Sequence, residues 1–175
     1  MRDKWQVVLS GAGGQGLILA GTLLGEAAVL IEGKNAVQTQ SYGVESRGGF
    51  SKSEVVISSQ EIAYPKVIEP DIVLALTQEA YNRYHSKITA GCFFVCDNSQ
   101  IADVDGTAAG VHAFPFTEMA REAGNPGMAN MVALGAIVAL TGVVGVAAVE
   151  KVMAERFAKR PLNIEAFKMG CNLLK

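Results

Sequence analysis

Gly11-Ala12-Gly13-Gly14-Gln15-Gly16 stands between an apolar run, Trp5 to Leu9, and a long apolar segment, Leu17 to Ile31. Val7, Val8 and Leu9 have the composition of a buried strand, and the segment after the glycines is long enough for several helical turns. A strand, a glycine turn and a helix make the front half of a βαβ unit. The glycines permit φ > 0 and let the backbone approach a neighbour with no Cβ in the way. A helix starting there aims its free N–H groups and positive dipole end at the turn, so an anion, most often a phosphate, is its natural occupant.

The spacing G-x-G-G-x-G contains the dinucleotide fingerprint G-x-G-x-x-G. That fingerprint also needs a carboxylate about 20 positions on, at the end of the second strand, to hold a ribose. The candidate second strand, Ala36 to Gln40, runs into Ser41-Tyr42, and Glu32 and Glu45 flank it at the wrong places. A nicotinamide dinucleotide is therefore disfavoured. Tight strand-to-helix packing and contact with some other anion or partner both stay open.

Working outward, Leu17 to Ile31 is apolar nearly all round, broken by Gly21, Thr22, Gly25 and Glu26. Such a helix is buried on more than one side. In a short chain another subunit is the expected second cover, with Leu23 and Leu24 at that contact. Gly33-Lys34-Asn35 closes the helix. Ser41 to Gly49 is a polar connection carrying Arg47 beside two glycines, and Ser53 to Ser58 is a third strand. An arginine so placed can offer its planar fork to a carboxylate or phosphate; the plainer reading is a solvated, hairpin-like connection. Asp71 to Leu76 and Gly91 to Asp97 are further strands, with an amphipathic helix, Gln78 to Ile88, between them. Thr117 to Glu122 is helical, and Gly124-Asn125-Pro126-Gly127 breaks it.

The uncharged run Met131 to Val149 meets a membrane-span length. Its glycines and the break at Thr141-Gly142-Val143 divide it instead into helices Met128 to Leu140 and Val146 to Lys159. The first of these belongs in the core or at a subunit contact. Arg160-Pro161 stops the second, and Asn163 caps a last helix, Ile164 to Leu174. Strands alternating with helices define an α/β fold: a three-layer α/β/α arrangement with a largely parallel, Rossmann-like sheet, in one domain spanning residues 1–175.

Composition narrows the function. Of 175 residues, 50% are hydrophobic and only 18% charged, and the mean hydropathy of +0.26 is high enough to imply covered apolar surface. A net charge of −2 without a basic run argues against nucleic acid. Met1 to Lys4 lead straight into a strand with no apolar leader, which reads as a cytoplasmic protein without a membrane anchor. Cys92, Cys96 and Cys171 are too few for a four-thiolate iron–sulfur cluster and lack its spacing. They read as buried small hydrophobes in a reducing compartment, with Cys92 and Cys96 on one face of a strand. His85 and His112 belong to no ligand-spacing motif. No nucleophile elbow, zinc-protease helix or Walker sequence occurs, and no close acidic pair. The polar residues that stand out, Gln15, Glu45, Arg47, Asn125 and Asn130, can orient a ligand but offer no nucleophile or proton shuttle. The chain reads as a binding or partner-dependent subunit.

Taken together the motifs resemble one family. Gly11 to Gly16 after a strand, then Gln38-Thr39-Gln40-Ser41-Tyr42-Gly43 running into Glu45-Ser46-Arg47-Gly48-Gly49, then Gly124-Asn125 with Asn130-Met131-Val132-Ala133-Leu134-Gly135, are similar to the gamma subunit of 2-oxoacid:ferredoxin oxidoreductases, most of all its 2-oxoglutarate branch. Val44 stands where the family has proline. The resemblance implies a part in converting a 2-oxoacid, coenzyme A and oxidised ferredoxin to an acyl-coenzyme A, carbon dioxide and reduced ferredoxin. It implies thiamine diphosphate between alpha and beta subunits, iron–sulfur clusters on beta or a ferredoxin-like delta subunit, and coenzyme A as co-substrate. It leaves this chain no catalytic residue and no metal. The candidate ligand or partner contacts are Gly13, Gly14, Gln15, Gly16, Tyr42, Glu45, Arg47, Gly48, Gly49, Asn125 and Asn130. A stand-alone nucleotide-binding oxidoreductase and a regulatory module are the alternatives.

Overall fold

The computed structural model describes residues 2–42 and 49–174. Six strands form one sheet: β1 (Lys4–Ala12), β2 (Asn35–Tyr42), β3 (Phe50–Ser58), β4 (Ile72–Ala75), β5 (Phe93–Asp97) and β6 (Val111–Phe114), in the order β2-β3-β1-β4-β5-β6. β1, β4, β5 and β6 are parallel, and β3 runs antiparallel to both of its neighbours. β2 therefore points the same way as β1 but lies one strand further out. The reversed strand β3 is inserted between β1 and β2.

Helices cover the two faces unequally. α1 (Leu17–Glu26), α3 (Phe116–Glu122), α4 (Ala129–Thr141), α5 (Val146–Arg156) and α6 (Pro161–Asn172) share one core with Val7, Leu9, Val55, Ile57, Ile72, Leu74 and Val95. The other face, carrying Val8, Val73, Phe94 and Cys96, is packed by a single short helix, α2 (Gln78–Tyr84), and by Ile101. Period-2 alternation sends neighbouring residues of β1, such as Val7 and Val8, to opposite cores.

Several expectations are corrected. Leu17 to Ile31 is not one α-helix, because Ala27–Ile31 form a wide π turn in which Glu32 N–H reaches back to Ala27 O (3.2 Å). Leu23 and Leu24 are fully buried in the chain's own core and do not await another subunit; the exposed apolar residues of this segment are Val29, Leu30 and Ile31. From Ala129 to Val138, α4 is buried all round by its own chain, with α6 against it. Two glycines bring these helices together. A Cβ on Gly135 would run into Phe167 O, and one on Gly170 into Val132 O. The split after Thr141 is present, with Gly142 closing α4 at φ +64°. Pro161 does not merely end a helix: it is the first residue of α6, where its missing N–H costs nothing. Asn163 accordingly lies inside α6, not at its cap. β6 is an additional strand, too short to stand out between Gly110 and Pro115. Among the described residues no helix is long and apolar enough to cross a membrane.

Candidate functional site: the glycine turn

β1 carries the chain to Ala12, and Gly13–Gly16 turn it into α1. Gly14 (φ +91°) and Gly16 (φ +72°) take the left-handed conformation that L side chains disfavour. Gln15 does not reach outward. Its Oε1 accepts a hydrogen bond from Ala12 N–H (2.7 Å) and occupies the space a Cβ on Gly11 would need. Gly16 O accepts from Ala20 N–H (3.1 Å), the first helical bond, and from Asn130 Nδ2 (3.1 Å). Asn130 is buried at the start of α4, and a Cβ on Gly16 would land on its amide. Gly13 N–H donates to Gly49 O (2.9 Å), which ties the β2–β3 connection to the turn.

The result is a helix start with open donors. No side chain caps α1 and no acidic residue sits in its first turn. Among the described residues no acceptor meets the N–H groups of Leu17, Ile18 or Leu19. By contrast, the donors before α4 are consumed locally: Asn125 Oδ1 accepts from Gly127 N–H (2.9 Å) in a short 3-10 turn, and Met128 N–H reaches Asn125 O. A depression of about 540 Å³ opens at the turn, lined by Gly14, Gly16, Ile18, Thr22, Ser51 and Arg156 among others. Among the described residues Arg156, paired with Glu26 at 2.7 Å, is the only cation lining it, and no carboxylate does. The place agrees with topology. The helix after β1 lies on one face and the helix after β4 on the other, so β1 and β4 flank the switch point where open α/β sheets take ligands.

Of the candidate residues, Gly13, Gly14, Gln15, Gly16, Gly49 and Asn130 converge on this turn. Tyr42 ends β2 opposite Ser51. Glu45, Arg47 and Gly48 lie outside the described residues. Asn125 has the local capping role just given, and among the described residues no hydrogen bond joins it to the turn. Two polar clusters escaped sequence reading. Gln38 Nε2 donates to Ile18 O and Ser53 Oγ (both 2.9 Å), and Thr22 Oγ1 donates to Gln38 Oε1 (3.0 Å), which fastens the first turn of α1 to the sheet. Asp97, fully buried, accepts from the backbone and hydroxyls of Ser99 and Thr117, joining the end of β5 to α3. A carboxylate closing an apolar strand just before Asn-Ser was the available signal for the second.

A dinucleotide site is not built here. In the dinucleotide fold the strand after the first helix pairs with β1 and presents the ribose carboxylate. Here antiparallel β3 takes that place, and Phe50 and Ser51 stand beside the end of β1. The donor set does not fit an iron–sulfur cluster either. Burial pushes the Cys92 thiol up to about 11, with a smaller push from Asp71, and the Cys96 thiol up to about 12, with Asp97 adding to it. Both thus disfavour the thiolate a metal requires. Cys92 and Cys96 face the α2 side of the sheet, whereas Cys171 belongs to the α4–α6 core. Among the described residues no three His, Cys, Asp or Glu side chains gather. His85 stacks on Tyr81 (4.7 Å between ring centres) and His112 on Phe93 (6.0 Å).

The fold is an open α/β sheet with a donor-lined crevice at its switch point. The chain belongs to the pyruvate ferredoxin/flavodoxin oxidoreductase family, whose profile matches residues 6–173. It is 44% identical to the 2-oxoglutarate synthase subunit KorC of Methanocaldococcus jannaschii, over all of this chain and 96% of that one. The gamma subunit of a keto/oxoacid ferredoxin oxidoreductase from Geobacter sulfurreducens has the same fold, with a TM-score of 0.85, 43% identity, and coverage of 97% of this chain and 95% of that one. The 2-oxoglutarate:ferredoxin oxidoreductase of Magnetococcus marinus, solved with 2-oxoglutarate, coenzyme A and succinyl-CoA, matches with a TM-score of 0.86 at 27% identity; 98% of this chain covers 31% of that one. The chain is thus an oxidoreductase subunit of gamma type. The family implies thiamine diphosphate, iron–sulfur clusters and coenzyme A in the assembled complex, and further subunits to form it.

Proposed function

We propose that this chain is the gamma subunit of a cytoplasmic 2-oxoglutarate:ferredoxin oxidoreductase and supports the coenzyme A-dependent oxidative decarboxylation of 2-oxoglutarate. The observation that carries the choice of substrate is full-length identity of 44% to a 2-oxoglutarate synthase subunit. In this reading alpha and beta subunits hold thiamine diphosphate, and beta or a ferredoxin-like delta subunit holds the iron–sulfur clusters and passes electrons to ferredoxin. The mismatched thiols of this chain support that division.

The role of this chain's own residues is to position an anion. The N–H groups of Leu17, Ile18 and Leu19, at the positive end of α1, receive a phosphate of coenzyme A or a carboxylate of a partner subunit. Gly14 and Gly16 let that group approach the backbone, and Asn130 holds Gly16 O so that the donors keep their direction. Arg47, which stands between Glu45 and Gly48-Gly49 in the sequence, has the planar two-pronged donor suited to a partner carboxylate or a phosphate of coenzyme A.

The test is coexpression of all subunits, with ferredoxin reduction measured on 2-oxoglutarate, pyruvate and 2-oxoisovalerate. The expected result is preference for 2-oxoglutarate and loss of acyl-coenzyme A formation when this chain is omitted. Preference for another 2-oxoacid, or full activity without this chain, overturns the reading.

A further inference from the structure

The sheet has two edges, and they are finished differently. β6 is four residues long and is followed at once by Pro115. Shortness and proline both blunt an edge against pairing. β2 has eight residues, Asn35 to Tyr42, with no charge, proline or glycine among them. Among the described residues only β3 pairs with it, on its inner side. Alternate N–H and C=O groups of β2 therefore point away from the sheet with no strand to receive them.

The surface beside this edge is apolar. α1 lies close over β2 and β3 because Gly21 carries no side chain. A Cβ on Gly21 would meet Gln38 Nε2 at 2.7 Å and Ser53 Oγ at 2.5 Å, and one on Gly25 would touch Ala36 Cβ at 3.8 Å. Continued α-helical spacing from Leu24 and Ala28 would have turned Ile31 inward. The π turn instead leaves Val29 44%, Leu30 67% and Ile31 37% exposed. Between this patch and β2 runs a groove of about 390 Å³, lined by Gly25, Val29, Leu30 and Ala36 and by the polar Thr22, Gln38 and Glu26, the last neutralised by its pair with Arg156. Edge and groove lie side by side.

We propose that β2 pairs antiparallel with β2 of a second copy of this chain, about a two-fold axis perpendicular to the sheet, joining the two sheets into one. Two features select a second copy. A strand of neutral side chains meets its own image without like-charge repulsion. The two-fold also keeps both α1 helices on one face, where they look at each other across the seam. With neighbouring strands about 4.8 Å apart and each helix seated over β2 and β3, the two axes stand about 10 Å apart, an ordinary helix-packing distance. Val29 and Leu30 of each copy then fill the groove of the other. The proposal goes beyond the assignment to an oxidoreductase complex and does not depend on it.

Sedimentation equilibrium of the full chain, with amide hydrogen exchange followed over residues 35–42, tests this. The expected result is a dimer whose β2 amides gain protection as concentration rises. Leu30→Glu puts a charge into the apolar contact at an exposed position, and Gln40→Lys does so on the strand. Each should weaken dimerisation about tenfold or more, with an unchanged circular dichroism spectrum. Glu122→Lys, an exposed change on α3, should leave it alone. A monomer at the highest soluble concentration overturns the proposal. So does a dimer that is indifferent to both variants, or one in which exchange over 35–42 does not respond to concentration. Protection of β2 only when larger subunits are bound would assign the edge to them and overturn it equally.

Discussion

Gly16 and Asn130 hold each other in place, and their coupling can be worked out before it is measured. Gly16→Ala forces an L side chain into φ +72°, which costs roughly 1–2 kcal/mol. The new Cβ also falls on Asn130 Nδ2. The amide is the end of a side chain and can swing away, but it then gives up its hydrogen bond to Gly16 O, a further loss of about 0.5–1.5 kcal/mol. The single variant should therefore be destabilised by roughly 2–3 kcal/mol. Asn130→Ala alone loses the same bond and leaves a small void, at about 1–2 kcal/mol. In the double variant the bond is lost only once and nothing obstructs the Cβ. It should be less destabilised than the sum of the singles by about 1 kcal/mol. Urea unfolding of the four proteins gives this coupling directly, and each kcal/mol corresponds to about 2–4 °C in Tm at this size. Additivity within about 0.3 kcal/mol would refute the clamp.

Four further outcomes follow from the packing and the charges. Gly135→Ala gains about 1 kcal/mol of helix propensity but drives a Cβ into the unyielding backbone of α6 at Phe167 and Cys171, for a net loss of about 2 kcal/mol by urea unfolding; an equal or higher midpoint contradicts the helix crossing. Gly25→Ala, whose Cβ would make only ordinary contact at 3.8 Å, should instead stabilise by about 0.5–1 kcal/mol. Burial pushes the Glu32 carboxyl up, but the hydrogen bond and charge of Lys34 and the N–H of Gly145 at the start of α5 together hold it below its ordinary 4.5. Its contribution should be fully present above pH 4.5 and disappear as pH falls through the lowered value, so the stability difference between wild type and Glu32→Gln should shrink in that window; a difference that grows there has the wrong sign. Cys92 and Cys96, buried and raised to about 11 and 12, should resist a thiol reagent at pH 8 in the native protein and react in urea; rapid native labelling of either would contradict their burial.

The path from β1 through the glycine turn into α1 was legible because each part has its own local signal: an apolar run, clustered glycines, then a long apolar segment. The parallel strands β4 and β5 were legible for the same reason. The reversal of β3 was legible only as a hairpin-like connection, since a short link predicts antiparallel pairing but not that the second strand will wedge beside β1. That placement removes the ribose site, which the missing carboxylate had already made improbable from sequence. The apolar surplus was read as covered surface; for α1 the cover was assigned to another subunit, whereas Leu23 and Leu24 lie in the chain's own core, and for α4 the core was one of the two places expected. α4 is covered by α6 through Gly135 and Gly170, a contact between residues far apart in sequence. The π turn left no sequence mark, because an apolar run has the same composition in either winding. Asn130 was singled out by type alone, and its contact with Gly16 crosses more than a hundred residues. The networks of half-buried Gln38 and buried Asp97 were missed because a polar side chain's bonds show only through its partners in space.

In the proposed function this chain serves the oxidoreductase complex by positioning and holds neither of its redox or thiamine groups. The most direct measurement is to purify the complex from its native source, resolve this chain from the other subunits, and determine iron and thiamine diphosphate in each fraction before and after recombination. The account predicts both groups with the larger or ferredoxin-like subunits, neither with this chain, and 2-oxoglutarate-dependent ferredoxin reduction that falls on resolution and returns on recombination. Stoichiometric iron or thiamine diphosphate in the resolved chain, or activity that its removal does not lower, would contradict it.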